Sequence, residues 1–329
     1  MRRSLKLALQ KPELAATLLL ILLVILFQIR SNGVFLGYDN LRGILGFLPE
    51  MGLIAIGVTL LMIAGEFDLS VGSVFALGPM VMAVLMVHGW PFWPAMGVGL
   101  LACAAIGLVN GWVTCQYDIP SFISTLGMMF MARSLTVVVS GGFPPRLNFD
   151  AIPADLFVAY VGPGAMFRAS FVWFVGIAVV ATLLLSRTNF GNWVRATGGF
   201  LPAAQAMGIP TKWVKITCFI ICSVLAGFAG VIQVLRLGSP LPSLGLGYEL
   251  QAVAAAVIGG TALAGGIGSV IGGIIGATLI RVIDNGMVMS QINSNWFQFA
   301  VGGLTIFAVV GNAWLRRRGR AMKVETDLK

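Results

Sequence analysis

Apolar runs of roughly 20 residues follow one another along almost the whole chain, and no other property narrows its fold so far. A run of that length crosses a bilayer as a helix, because lipid admits only structures that satisfy their backbone hydrogen bonds internally. Ten runs are predicted, at roughly 13–30, 45–64, 70–87, 93–114, 121–140, 169–186, 214–235, 250–264, 267–283 and 295–313. The two beginning near 250 and 267 are short and glycine-rich, which leaves nine or eleven spans open. Charged residues make up 10% of the 329, against about 25% in a soluble domain. The expectation is an all-α, polytopic membrane protein of about ten transmembrane helices, some broken or short, with residues 1–329 forming a single transmembrane domain. The first run lacks a small-residue cleavage site and leads directly into further spans, so it reads as an uncleaved first helix.

The net charge of +9 is distributed for a membrane and not for nucleic acid. Arg2, Arg3, Lys6 and Lys11 precede the first span, and Arg187, Arg195, Lys212 and Lys215 lie in or beside the segment 187–213. Arg316, Arg317, Arg318, Arg320, Lys323 and Lys329 occupy the tail. The positive-inside rule assigns the N-terminal tail 1–12, the 187–213 segment and the C-terminal tail 314–329 to the cytoplasm. An even number of spans agrees with that placement. Asp39, Asp150, Asp155 and Asp284 fall in the loops of the opposite side. Cys103, Cys115, Cys218 and Cys222 sit in or at the edge of spans without metal-binding spacing, and read as packing residues. His88 is alone in a short turn. No cofactor and no metal are expected.

One apolar run is interrupted by Gly65-Glu66-Phe67-Asp68-Leu69-Ser70-Val71-Gly72-Ser73. A carboxylate facing hydrocarbon costs about 2.5–3.5 kcal/mol on insertion scales, so such residues usually face protein or a water-filled cavity. Glu66, Asp68, Ser70 and Ser73 are therefore candidates for a translocation pathway, and the break points to transport rather than passive anchoring. Asp68 has two readings, a contact on that pathway or a cap for the following helix. A similar pattern recurs at an offset of 196 residues, where the break Gly259–Gly266 precedes Gly268-Ser269-Val270. Interruptions at corresponding positions of two halves mark the binding region of many transporters, which brings Thr261 into the candidate pathway. Gly268, Gly272 and Gly276 form a small-residue stripe suited to close helix packing. Arg133 either snorkels to the outer interface or forms an intramembrane ion pair with Glu66 or Asp68. Glu50, Glu249 and Asp284 lie near predicted outer span ends and read as interfacial.

Within 187–213, Pro202 at a first helical turn and Gly208 at a C-terminal stop predict a short cytoplasmic helix of small residues. No Gly-x-x-x-x-Gly-Lys-Ser/Thr loop occurs, and no nucleophile–base pair. Active transport by this chain would draw its energy from another subunit or from an ion gradient.

Three motifs in order carry a family resemblance: Glu66-Phe67-Asp68-Leu69-Ser70-Val71-Gly72-Ser73, the segment from Arg195 to Ile209, and Ala254 through Gly272. Together they resemble the ribose/xylose-type permeases of bacterial ABC sugar importers, within the branched-chain amino-acid permease superfamily. The chain departs where the family often has Gly-Ile-Asp-Leu-Ser, since Glu66 adds an acidic group. The resemblance implies an inner-membrane permease, not an enzyme, that passes a monosaccharide or related polyol from a periplasmic solute-binding protein. It also implies an ABC ATPase subunit and a second permease subunit, identical or not, with membrane lipid around them. The 187–213 segment is similar to the family's counterpart of the EAA loop, which places Arg195, Gly198, Ala203, Ala204 and Gly208 in ATPase coupling. The alternatives are an ion-coupled secondary transporter, and an ABC permease for a branched-chain amino acid, nucleoside or autoinducer.

Overall fold

The computed structural model describes residues 12–148 and 152–311, so the basic tails lie outside the described residues. The chain is built from apolar helices in an order close to the predicted one. They are α1 (Pro12–Arg30), α2 (Tyr38–Ile63), α3 (Val71–Val87), α4 (Phe92–Tyr117) and α5 (Ser121–Val139), then after a loop α7 (Ala169–Arg187). The second half carries α10 (Thr211–Leu237), α11 (Tyr248–Ile258) and α12 (Val270–Met289), and ends on α13 (Ser294–Gly311). Among the described residues eight of these are long and apolar enough to cross a membrane, while α3 and α11 are shorter. The 11 residues of α11 span about 16 Å at 1.5 Å each, roughly half a hydrocarbon core. The predicted span 250–264 therefore stops early, at the Gly259-Gly260 pair, and its successor starts at Val270 rather than near 267.

Two regions hold structure that hydropathy did not announce. Between α5 and α7 lie a one-turn helix α6 (Asp155–Val158) and a two-residue antiparallel pair, β1 (Tyr160–Val161) and β2 (Phe167–Arg168). This small unit is fastened to the start of α2. The Arg42 and Arg168 guanidinium carbons lie 3.7 and 4.4 Å from the Tyr160 ring centroid, and the Tyr38 hydroxyl donates to the Gly164 carbonyl. The 187–213 segment folds into two helices, α8 (Asn189–Gly199) and α9 (Leu201–Ala206), instead of one. Thr188 caps α8 by accepting from the Gly191 amide at 3.2 Å.

At the centre is α2, buried without interruption from Leu48 to its end, with α7, α10, α11 and α12 packed against it and α3 and α4 packed on α10. Lipid gives helices no hydrophobic reason to associate, so close backbone approach at small residues supplies much of the attraction. A Cβ on Gly230 of α10 would lie 1.9 Å from the Phe75 carbonyl oxygen, and one on Gly276 of α12 would lie 1.9 Å from that of Ala255. The glycine stripe of α12 is thus a packing surface against α11, and all four cysteines are buried. Helices α1, α5 and α13 form the periphery, with large apolar side chains such as Leu18, Phe130 and Phe307 facing outward.

Candidate functional site

The first break, residues 64–70, follows α2 where Gly65 adopts φ +89°. A chain that leaves the helix inside a membrane must find new partners for its amides, and α5 supplies them. The Phe67 amide donates to Ser121 Oγ and the Leu69 amide to Thr125 Oγ1, both at 3.1 Å. Asp68 is fully buried, and its Oδ1 accepts from the Ser70 amide at 2.8 Å and the Ser70 hydroxyl at 2.6 Å. Asn110 of α4 donates to Ser70 Oγ at 2.9 Å. Asp68 therefore holds the turn that leads into α3 and does not accept from the amides of the first turn of that helix. Ser73 donates to the Met129 carbonyl at 2.8 Å and ties α3 to α5.

Glu66 pairs with Lys215 at the base of α10, 2.5 Å away. It is the one candidate pathway residue on an open cavity, of about 260 Å³, whose walls also include Thr114, Asp118, Gln205, Lys212 and Lys215. Asp68, Ser70, Ser73 and Thr261 are buried inside the subunit, each no more than 3% exposed.

Arg133 corrects the ion-pair expectation. Its Nη1 donates to the carbonyls of Pro242 at 2.6 Å and Leu244 at 2.8 Å, and its Nη2 to that of Gly72 at 3.0 Å. Neither Glu66 nor Asp68 is its partner: Glu66 pairs with Lys215, and Asp68 accepts from Ser70. The guanidinium instead satisfies carbonyls of the non-helical stretch between α10 and α11, at a point about 18 Å along α5. Glu50 is a second correction. It is 1% exposed and pairs with Arg236 at 2.9 Å inside the helix bundle. Asp284, with its side chain 46% exposed, pairs with Arg281 at 3.4 Å, and Glu249 accepts from the Gly247 amide at 3.2 Å.

The second break, residues 259–269, repeats the helix–break–helix order at greater length. The Ala262 amide donates to the Ile267 carbonyl at 2.8 Å, and Ser269 caps α12 by accepting from the Gly272 amide at 2.9 Å. The two breaks touch. The Gly266 amide donates to the Ile63 carbonyl, the last of α2, at 2.8 Å. Helix α8 closes on the same point: a Cβ on Gly198 would lie 1.9 Å from the Ile63 oxygen and 2.8 Å from the Gly266 nitrogen, and Arg195 Nη1 donates to the Gly268 carbonyl at 3.1 Å. Glycine is required here because three backbones meet.

The structure therefore divides the residues expected to contact an ATPase. Ala203 and Gly208 are exposed on and after α9, Gly208 with φ +77°. Ala204 is 2% exposed and faces its own subunit, and Arg195 and Gly198 face the helix breaks. Sequence reasoning missed Asn110, Ser121, Thr125 and Lys215. Ser121 and Thr125, four residues apart on one helix face, were the available signal.

A bundle of this kind, with two broken helices and a paired-helix segment at their junction, defines a multi-pass membrane permease. Residues 40–309 match the family described as branched-chain amino acid transport system / permease component. The chain belongs to that family, which makes it a transport permease and a multi-pass membrane protein. It is 36% identical over 294 residues to the ribose import permease protein of Escherichia coli strain K12, covering 89% of this chain and 90% of that one. It is 31% identical over 311 residues to the xylose/arabinose import permease protein of Sulfolobus acidocaldarius, with 92% and 85% covered. It is 32% identical over 293 residues to the L-arabinose ABC transporter permease protein of Azospirillum brasilense, with 88% and 84% covered. No solved structure matches the chain.

Proposed function

We propose that this chain is the membrane-spanning subunit of an ATP-driven importer for a monosaccharide or related polyol, delivered by a periplasmic binding protein. The observation that carries the reading is the convergence of the 187–213 segment with both helix breaks at Gly198, Ile63 and Gly266. A segment that meets a separate ATPase on one side and both breaks on the other is placed to turn nucleotide-driven motion into movement of the broken helices. Pro202, Ala203, Gln205, Ala206 and Met207 of the α9 region are exposed and form the docking surface for that ATPase. The segment and both tails are cytoplasmic in this reading, in accord with their basic residues. The cavity beside Glu66 and Lys215 is the inner mouth of the route, while Asp68, Ser70, Ser73 and Thr261 shape the breaks.

A second copy of the chain completes the route. The stretch 238–247 is non-helical, and it exposes Leu241, Ser243 and Leu246 although Arg133 holds it well along α5. Irregular backbone at membrane depth is tolerated against protein or water and not against lipid. The face formed by this stretch and α5 is therefore the one that a second copy covers, with the route beside it. Names of the relatives suggest a pentose, and the test uses three of them. The permease is reconstituted in lipid vesicles with its ATPase and binding protein, and labelled D-ribose, D-xylose and L-arabinose are offered. Uptake that requires ATP and the ATPase subunit is expected. Uptake driven by a sodium or proton gradient without the ATPase overturns the proposal.

A further inference from the structure

A second polar group lies apart from both breaks, between α2, α10, α11 and α12. Glu50 accepts from Arg236 Nε at 2.9 Å, and the Arg236 guanidinium carbon lies 3.9 Å from the centroid of the Phe47 ring. Arg281 of α12 donates to Asp284 Oδ2 and to the Tyr248 hydroxyl, both at 3.4 Å, and α12 packs against α2, the helix that carries Glu50. Gln233 precedes Arg236 by three residues and Asn285 follows Arg281 by four, so each shares a helix face with its arginine. These pairings join residues 186 and 33 positions apart, and bring α2 to α10 and α11 to α12.

A polar network that served only to fix helix register would be expected to satisfy its own atoms, since a buried unpaired polar group costs about 1–3 kcal/mol. This one does not. Glu50 Oε2, Gln233 Oε1, Arg281 Nε and Asn285 Oδ1 are buried without a hydrogen-bond partner. The four include three acceptors and one donor, a mixture that suits hydroxyl groups, which both give and receive. The two carboxylates and two guanidiniums cancel, so the group carries no net charge to favour an ion. Phe47 and Tyr248 add aromatic surface for the apolar face of a ring. Glu50 lies 13 residues before Ile63, about 20 Å along α2, so the group is separate from the junction of the breaks. The half-exposed Asp284 brings it to the subunit surface.

We propose that Glu50, Gln233, Arg236, Arg281 and Asn285 form a contact site for the transported solute, and that this solute is a neutral, hydroxyl-rich molecule. The inference rests on the importer reading. Its test is the complete reconstituted complex carrying Gln233→Met or Asn285→Leu, each of which replaces the amide, with its free acceptor, by an apolar side chain. Two quantities are read: D-ribose, D-xylose or L-arabinose moved per ATP hydrolysed, and the thermal midpoint of the complex. A solute site predicts that sugar per ATP falls, about tenfold for the loss of one hydrogen bond to a buried partner, while the thermal midpoint holds or rises. Unchanged sugar per ATP overturns the proposal. So does a lowered thermal midpoint with uptake and hydrolysis falling together, which would mark the group as structural. If Asn285→Leu does not assemble, Gln233→Met carries the test, because it leaves both ion pairs in place. A wild-type complex that moves none of the three sugars with ATP refutes the importer reading itself, whereas variants that match an active wild type refute only this site.

Discussion

At the scale of single residues, the chain handles buried charge by giving each group a fixed partner. Asp68 accepts from a backbone amide and a hydroxyl through one oxygen, and an asparagine keeps that oxygen. Asp68→Asn should therefore assemble and transport within about threefold of wild type, whereas Asp68→Ala orphans the Ser70 amide and should cost about 1–3 kcal/mol. Thermal unfolding and uptake, measured side by side, check this; loss of uptake by a well-folded Asp68→Asn would give the charge a role in the route. Arg133 serves three backbone carbonyls at once, so Arg133→Gln, which cannot reach them all, should lower the thermal midpoint and loosen the 238–247 stretch. Faster proteolysis or amide exchange of that stretch is the expected reading. A local role for Asp68 at the head of α3 was one of its two readings in the sequence, whereas the role of Arg133 was not legible there. Arg133 was expected to seek a carboxylate, and nothing local reveals that a loop 109 residues away presents its carbonyls instead. Glu50 was misplaced for the same reason, since its partner is 186 residues distant.

At the scale of elements, hydropathy located nearly every helix, because a membrane leaves little choice of secondary structure. The ends were less legible. Helix α11 stops at Ile258 because a glycine pair follows it, and α8 is too polar to register as an apolar run. The likeness of the two halves was visible, but not that the breaks touch, since that contact is a single backbone hydrogen bond from Gly266 to Ile63. This junction supports a third prediction. In Gly198→Ala the new methyl meets the Ile63 oxygen and the Gly266 nitrogen, so α8 must move away from both breaks. ATP-driven uptake should fall at least about tenfold, the order expected where overpacking costs 1–3 kcal/mol, with the ATPase subunit still co-purifying. Loss of co-purification instead would place Gly198 on the docking surface.

For the whole molecule, the central claim is that α8 and α9 lie on the cytoplasmic face, between the ATPase and the helix breaks. The cysteines allow a direct measurement once Cys115, which lines the Glu66 cavity, is replaced by alanine, because Cys103, Cys218 and Cys222 are fully buried and a new exposed thiol then reacts selectively. Ala203→Cys places that thiol on the exposed side of α9. A membrane-impermeant maleimide should label it in inside-out vesicles and not in right-side-out ones, and the bound ATPase subunit should protect it. Labelling from the outside of right-side-out vesicles would contradict both the topology and the coupling mechanism built on it.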